Sequence, residues 1–270
     1  MAEDSTTSGY APVNGLKLYY ETHGSGESLI LLHGGVVGST MFAPVLEKFA
    51  QDRQVITADL QGHGHTADID RPLRYELMAD DIAGLIKYLG FKKVDLLGYS
   101  LGGGTALQVA IRHPDVLRRL VLVSQPFKRQ GWYPEVLVGM AQMGPAAAEG
   151  MKQSPLSRMY PHINWATLFS KLAELLKRDY DWSKEVADLK PPTMLMFADA
   201  DAVMPKHIVE FYGLFGGGMK DAGMDGSGRP VTQLAIVPGS THYNILSSPN
   251  FTAMVSSFLN ADSPNLRFFE

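Results

Sequence analysis

Short runs of apolar residues recur along the chain and predict buried strands. Six of them are almost free of polar positions: Leu29–Leu32, Val55–Ala58, Val94–Leu97, Leu120–Val123, Met194–Phe197 and Leu234–Val237. Runs of this length without alternation are typical of parallel strands that helices cover on both faces. The pattern therefore predicts a sheet in the middle of the molecule.

Stretches of helical periodicity separate several of these runs. In Tyr75–Leu89 the apolar residues fall at positions 78, 82, 85, 86 and 89, on one face of a helix. Leu101–Arg112 and Phe251–Leu259 follow similar spacing. Strands that alternate with helices predict an α/β fold with a doubly wound, mostly parallel sheet of about eight strands. Near the start of the chain, Asn14-Gly15 between two alternating runs predicts a β-hairpin.

The alternation is interrupted once, between a strand that ends near Ser124 and another that starts near Pro192. More than sixty residues there carry no strand signal, and Trp165–Lys177 has helical period. Because a structureless loop of that length is uncommon in a compact domain, residues 127–189 are predicted to form a helical cap. Residues 11–126 and 190–270 form the predicted core domain, and residues 1–10 are expected to be a flexible arm.

Composition excludes several classes of protein. The 270 residues carry 24 basic and 28 acidic side chains, so the net charge of −4 argues against a large basic face for nucleic acid or anionic lipid. The absence of cysteine excludes disulfides, thiol nucleophiles and thiolate zinc sites. No apolar run approaches the ~18 residues of a membrane helix, and residues 1–10 do not resemble a signal peptide. A cytoplasmic protein with a small-molecule partner, and with neither nucleic-acid nor membrane partners, is expected.

One serine with glycine on either side lies where a predicted strand meets a predicted helix. Residues 98–102 read Gly-Tyr-Ser-Leu-Gly, a G-x-S-x-G motif. A turn that exposes a single side chain here forces Ser100 into a strained backbone conformation, which small residues two positions away on each side relieve. The helix that follows directs its N–H groups at negative charge beside the serine. Ser100 is therefore the candidate nucleophile.

A serine nucleophile needs a base, normally a histidine that a carboxylate orients. His242 follows the last predicted strand, whereas the other seven histidines precede it. The acid is expected after the preceding strand, where Asp199 and Asp201 are both candidates that spacing does not separate. The N–H groups of Leu101 and Gly35 are the predicted donors of an oxyanion hole.

Methionine and aromatic residues are frequent in the predicted cap, which favours an adaptable apolar pocket. The residues expected to line the pocket are Gly34, Val36, Tyr99, Trp132, Met140, Met159 and Trp165.

His63 and His65 have no nearby cluster of carboxylates, so neither is assigned to a metal.

These segments resemble the α/β-hydrolase superfamily, and within it the cap-bearing branch of serine esterases and lactonase-like enzymes. The resemblance is carried by the hairpin and by four motifs, which are His-Gly-Gly at 33–35, Asp-Leu-Gln-Gly-His-Gly-His at 59–65, the serine turn, and Pro-Gly-Ser-Thr-His at 238–242. In the family the acid generally lies three residues after the small residue that ends its strand. Counted from Ala198, that position is Asp201, so the resemblance favours Asp201 over Asp199. A serine at position 100 excludes the related dehalogenases and epoxide hydrolases, which use a carboxylate there.

The site and the resemblance imply a carboxylesterase that cleaves small to medium apolar esters through an acyl-enzyme on Ser100, without a cofactor or metal. The same triad supports a lactonase, with acyl-homoserine lactones among its substrates, or a carbon–carbon bond hydrolase. For that last activity an acidic substrate would need cationic partners, and Lys128, Arg129 and Arg158 are candidates. A ligand receptor with the hydrolase fold is the alternative that is not an enzyme.

Overall fold

The computed structural model describes residues 6–261. Eight strands form one sheet in the order β1-β2-β4-β3-β5-β6-β7-β8. Their bounds are β1 Thr7–Val13, β2 Leu16–His23, β3 Glu27–Leu32, β4 Arg53–Ala58, β5 Val94–Tyr99, β6 Leu117–Val123, β7 Thr193–Ala200 and β8 Gln233–Thr241. β3 to β8 run parallel to one another, and only β1 and β2 introduce antiparallel pairs. The predicted α/β fold is confirmed.

Helices cover both faces of the sheet and explain the unbroken apolar runs of its central strands. Residues of α2 and α3 pack into one hydrophobic cluster, and those of α1 and α10 pack into a second cluster on the opposite face. Within the described residues, no helix combines the length and the apolar character needed to cross a bilayer. The helices are α1 Ala43–Ala50, α2 Tyr75–Tyr88, α3 Leu101–Arg112, α4 Pro134–Ala141, α5 Pro145–Met151, α6 Pro155–Met159, α7 Trp165–Lys177, α8 Ser183–Ala187, α9 Pro205–Leu214 and α10 Phe251–Asn260.

The predicted hairpin is present, and it begins earlier than expected. Asn14 and Gly15 adopt φ of 49° and 81°, the positive values that a type I′ turn requires. Residues 7–10 belong to β1 and pair with β2, Thr7 lying opposite Thr22. The expected arm is therefore wrong for residues 7–10, because ladder pairing orders them although their side chains are mostly exposed. Residues 1–5 lie outside the described part of the chain.

Five helices, α4 to α8, lie between β6 and β7. Proline stands at the first position of α4, α5 and α6, where its fixed φ favours helix initiation. α7 buries Trp165, Leu168, Phe169 and Leu172 in the hydrophobic cluster that also holds α2 and α3. The inserted helices therefore pack on the same face of the molecule as α3, the helix that follows Ser100.

Two segments of this insertion, residues 127–129 and 180–182, lie side by side. The N–H of Trp182 donates to the carbonyl of Phe127 at a distance of 3.1 Å, and the N–H of Arg129 donates to the carbonyl of Tyr180 at 3.0 Å. Lys128 and Asp181 form an isolated antiparallel bridge between these two bonds. Helices α4 to α7 therefore begin and end at one short paired segment, and α8 follows it.

Candidate active site

Ser100 occupies a sharp turn between β5 and α3. Its φ of 51° and ψ of −117° lie outside the helical and strand regions. Two backbone hydrogen bonds, each 3.0 Å long, hold it there. The Ser100 N–H donates to the carbonyl of Val123, and the Gly104 N–H donates to the carbonyl of Ser100. Because such a conformation costs about 1–3 kcal/mol for a residue other than glycine, the surrounding structure must impose it.

The glycines two positions before and after Ser100 allow backbone segments to approach closely. A Cβ atom on Gly98 would stand 2.2 Å from the carbonyl oxygen of Gly102, and one on Gly102 would stand 2.2 Å from that of Leu32. Neither oxygen belongs to a flexible side chain that could move aside. Both glycines are therefore required for the turn that presents the serine, as the motif predicts.

Gly102→Ala is expected to lower the free energy of unfolding by about 3 kcal/mol, because the new methyl group overlaps backbone of β3. Gly139→Ala is the matched control, since a Cβ there meets no atom within 4 Å and its φ is not in the left-handed region. In this exposed helical position alanine should stabilise the protein by about 0.5–1 kcal/mol. Urea unfolding of both variants tests this expectation. Equal stability of the two would contradict the close approach at Gly102.

Three side chains converge at the carboxyl ends of β5, β7 and β8. His242 Nε2 lies 3.2 Å from Ser100 Oγ, and His242 Nδ1 lies 3.1 Å from Asp201 Oδ1. The imidazole is flanked by the rings of Tyr99 and Trp132, with centroids 5.3 and 5.6 Å away. The Tyr99 hydroxyl also donates to the His242 carbonyl over 2.7 Å. The base is thus held in one position between a serine and a carboxylate.

Asp201 is buried and accepts four hydrogen bonds. Besides His242 Nδ1, the donors are the Ser124 hydroxyl at 2.6 Å, the Ala198 N–H at 2.9 Å and the Val203 N–H at 3.2 Å. Burial acts to raise the pKa of the carboxyl group, but the hydrogen bond and charge of His242, with the bonds from Ser124 and Ala198, hold that pKa below its ordinary value. Asp201 is therefore an anion whose lone pairs are already occupied.

Asp199, the other candidate acid, faces a different environment. Its carboxylate accepts the N–H groups of Gly239 and Ser240 at 2.9 and 3.0 Å, at the end of β8. Hydrogen bonds from these two amides lower its pKa. A register irregularity between Ala198 and Ala200 in the pairing of β7 with β8 separates the two aspartates. The structure therefore separates the two aspartates, which their spacing along the sequence did not, and it places Asp201 beside His242.

Sequence reasoning missed Ser124, whose hydroxyl makes the shortest of the four bonds to Asp201. Ser124 is fully buried and has φ of 52°. Its place directly after β6, the strand beside β7, is the one signal that could have identified it.

The predicted oxyanion donors lie together beside Ser100. A Cβ on Gly35 would lie 4.0 Å from the Cβ of Leu101. Within residues 6–261, neither the Gly35 nor the Leu101 N–H donates to another protein atom, whereas the Gly34 N–H is taken by the Met41 sulfur at 3.1 Å. Two free N–H groups beside a serine hydroxyl are an arrangement that can stabilise an oxyanion.

His33 fixes the orientation of the Gly34–Gly35 peptide. Its Nε2 accepts the N–H of Leu60 at 3.0 Å, so its Nδ1 carries the proton and donates to the Gly34 carbonyl at 2.6 Å. In a trans peptide the N–H points away from the carbonyl, and the Gly35 N–H is therefore directed away from His33. Burial holds the pKa of His33 below its ordinary value, which keeps this tautomer neutral.

Stability is expected to fall as the pH drops below 6.5, because buried histidines resist protonation in the folded state. Burial lowers the pKa of His63 to about 3 and that of His207 to about 4. The unfolded chain takes up these protons near pH 6.5 and the folded chain does not, so each group contributes a slope of up to about 1.4 kcal/mol per pH unit. In His63→Asn an amide can replace the Nδ1 donor to the Gln61 carbonyl. Urea unfolding between pH 4 and 7 should give a shallower slope for this variant, and an unchanged slope would contradict the assignment.

A cavity of about 320 Å³ opens beside Ser100. Of the residues expected to line it, Gly34, Val36, Tyr99, Trp132 and Met140 do so. Met159 and Trp165 do not, so their placement in the pocket is wrong. Met159 is the last residue of α6, and 53% of its surface is exposed. Trp165 is buried at the start of α7, but the first residue of that helix to reach the cavity is Leu172, two turns later. The full lining is Gly34, Gly35, Val36, Val37, Met41, Tyr75, Tyr99, Ser100, Leu101, Gln125, Trp132, Met140, Met143, Leu172, Leu176, His242 and Tyr243.

Apolar side chains form most of this wall. Within the described residues, no Lys, Arg, Asp or Glu lines the cavity. Lys128 pairs with Glu210, Arg129 donates to the Leu176 carbonyl, and Arg158 is exposed. The three cations considered as partners for an acidic substrate therefore do not reach the cavity.

Comparison with known proteins agrees with the fold. Residues 27–141 match the family model described as the alpha/beta hydrolase fold. The mouse (Mus musculus) protein named serine hydrolase BPHL is 40% identical over 124 residues, and the putative carbamate hydrolase RutD of Caulobacter vibrioides is 39% identical over 113. These matches span 44% and 40% of this chain, and only 43% and 42% of the two relatives.

A solved structure extends the likeness over most of the chain. The enol-lactonase from Burkholderia xenovorans LB400 superposes with a TM-score of 0.72, covering 93% of this chain and 100% of that one, at 22% sequence identity. At that identity the likeness concerns the fold. Together with the match over residues 27–141, it shows that this chain has the α/β-hydrolase fold.

Proposed function

We propose that this protein is a serine hydrolase that cleaves small to medium, neutral carboxylic esters through an acyl-enzyme on Ser100. The observation that carries the proposal is the hydrogen-bonded chain Ser100–His242–Asp201 beside an uncharged cavity of about 320 Å³. Nucleophile, base and orienting acid within hydrogen-bond reach are the signature of nucleophilic acyl transfer.

The proposed reaction has two halves. Ser100 Oγ attacks the ester carbonyl carbon while its proton passes to His242 Nε2, and Asp201 stabilises the imidazolium through Nδ1. The N–H groups of Leu101 and Gly35 receive the negative charge that develops on the carbonyl oxygen. His242 then protonates the leaving alcohol. In the second half His242 activates a water molecule that attacks the acyl-enzyme and releases the acid.

The chemistry of the cavity wall supports a neutral substrate. A carboxylate moved from water into an apolar cavity without a cationic partner loses several kcal/mol of hydration. Since no cation lines the cavity, an anionic substrate of a carbon–carbon bond hydrolase would meet that cost here. We therefore favour an ester over the acidic substrates considered from the sequence.

We further propose that residues 127–189 act as a cap that sets substrate size. Trp132, Met140, Met143, Leu172 and Leu176, all from this segment, supply the wall of the cavity that faces Ser100 from outside the core. Methionine adapts its shape readily, so several acyl chains of similar length should fit.

Lactones remain the second candidate class. A lactone is a cyclic ester that needs the same catalytic groups, and the Burkholderia xenovorans protein with the same fold is an enol-lactonase. The two activities differ in the shape of the substrate, so initial rates on esters and on lactones distinguish between them.

The deciding experiment is a panel of p-nitrophenyl esters of increasing acyl length, aliphatic lactones and acyl-homoserine lactones. We expect multiple turnovers on short and medium acyl esters, with lower rates on esters that carry a carboxylate. Faster turnover of lactones would assign a lactonase. A single turnover followed by a stable acyl-enzyme would contradict the hydrolase proposal and favour a receptor.

A further inference from the structure

Three consecutive glycines follow Leu101, the first residue of α3, and the second and third of them make room for polar side chains. A Cβ on Gly103 would lie 2.7 Å from the Gln125 Cβ, and one on Gly104 would lie 2.4 Å from Tyr75 Cε1. Both Gln125 and Tyr75 line the cavity beside Ser100. The glycine run thus brings a buried amide and a phenol against the first turn after the nucleophile.

The amide orientation of Gln125 is determined by its neighbours. The Nε2 group donates to the carbonyl of Pro126 at 2.9 Å and to the Tyr180 hydroxyl at 3.2 Å. A carbonyl oxygen only accepts hydrogen bonds, so the amide nitrogen must face Pro126. The opposite amide atom is therefore the acceptor oxygen, Oε1.

This oxygen has no hydrogen-bond partner within residues 6–261, although Gln125 is fully buried. Burial raises the pKa of Tyr75, which also lines the cavity, well above its ordinary value, so its hydroxyl stays protonated. An unsatisfied buried acceptor destabilises a folded protein, and such groups are rare unless a ligand or water completes them. The residues that line the cavity thus include one whose buried acceptor has no partner among the described residues.

We infer that Gln125 determines substrate specificity: its Oε1 accepts a hydrogen bond from a hydroxyl or amide N–H group of the substrate. The preferred esters then carry one such donor, and purely apolar esters of the same size leave the acceptor unpaired. This inference rests on the proposed ester hydrolysis. A site built to accept a substrate hydrogen bond discriminates strongly against analogues that lack the donor.

Two pairs of esters of matched size test the inference on the intact chain. p-Nitrophenyl 3-hydroxybutyrate is compared with the 3-methylbutyrate, and the N-acetylglycine ester is compared with the 4-oxopentanoate. Each kcat/KM is divided by the rate of alkaline hydrolysis of the same ester, which removes differences in intrinsic reactivity. We expect a preference of roughly 10-fold or more for the donor in at least one pair.

Gln125→Met removes the amide while keeping a similar length and volume, and should reduce that preference to near unity. Gln51→Met is the matched control, because Gln51 is exposed at the end of α1, and it should keep the wild-type preference. Should Gln125→Met fail to fold, Gln125→Asn withdraws the same amide by one methylene and should also lose the preference.

The outcomes separate this inference from the proposed function. Rapid hydrolysis without preference in either pair would overturn the inference alone and show that Oε1 holds only water. A preference that survives in Gln125→Met would overturn it too. Failure of the wild-type protein to hydrolyse any of the four esters would overturn the proposed function, and this inference with it.

Discussion

Replacing Ser100 with alanine is expected to reduce kcat for ester hydrolysis by a factor of about 10⁴ or more, which leaves only the acceleration supplied by binding and oxyanion stabilisation. The reason is chemical. Ser100 Oγ is the atom that lies 3.2 Å from His242 Nε2, and alanine offers no nucleophile in its place. Initial rates on a p-nitrophenyl ester, with the spontaneous rate subtracted, measure the loss.

The control for this variant is Ser227→Ala, which removes the hydroxyl group of an exposed serine far along the chain. Its rate should equal that of the wild type. Thermal unfolding of Ser100→Ala should stay close to that of the wild type, because the backbone bonds at position 100 do not involve the hydroxyl. A Ser100→Ala protein that retains its rate would refute the acyl-enzyme mechanism.

The second large effect is expected for Asp201→Asn, with kcat lowered about 10³- to 10⁴-fold. Asp201 receives four donors, and an amide provides only one acceptor oxygen, so its NH₂ group must face a donor. If that donor is His242 Nδ1–H, the imidazole turns or changes tautomer, and Nε2 no longer accepts the serine proton. Because a buried hydrogen bond is also lost, the free energy of unfolding should fall by about 1–3 kcal/mol.

Asp199→Asn provides the matched control two residues away. Asp199 binds two backbone amides at the surface and contacts neither Ser100 nor His242. The kcat of Asp199→Asn should stay within about 10-fold of the wild-type value. The amides of Gly239 and Ser240 lose a charged acceptor, but the asparagine side chain still offers them one oxygen. Equal losses in both variants would contradict the assignment of Asp201 as the acid.

Much of the fold was predictable because local pattern and global structure agree. The six apolar runs lie within β3 to β8, and the Asn14-Gly15 turn sits where its positive φ values require. The arm was predicted wrongly because Thr7, Ser8 and Gly9 look like loop residues. What orders them is pairing with residues 20–22, a contact between distant positions that composition does not encode.

At the site, motifs located the residues but not their partners. Ser100 and His242 follow from strand ends and chain order. Spacing left Asp199 and Asp201 equivalent, because the local irregularity in β7 that separates them comes from register. Ser124 had only its place directly after β6 as a signal, and Gln125 had none. Met159 and Trp165 were misassigned because the methionine- and aromatic-rich composition of residues 127–189 does not show which of their side chains reach the cavity.

The paired segment at Phe127 and Trp182 has a consequence for how such proteins diverge. Helices α4 to α7 begin and end at adjacent hydrogen-bonded residues, so the rest of the molecule requires of them only that their two ends meet. The entropy of closing a loop rises slowly with its length, so insertions of different size are tolerated at similar cost. Evolution can therefore exchange these helices as a unit, altering the wall of the cavity while Ser100, Asp201 and His242 keep their places at the ends of the strands.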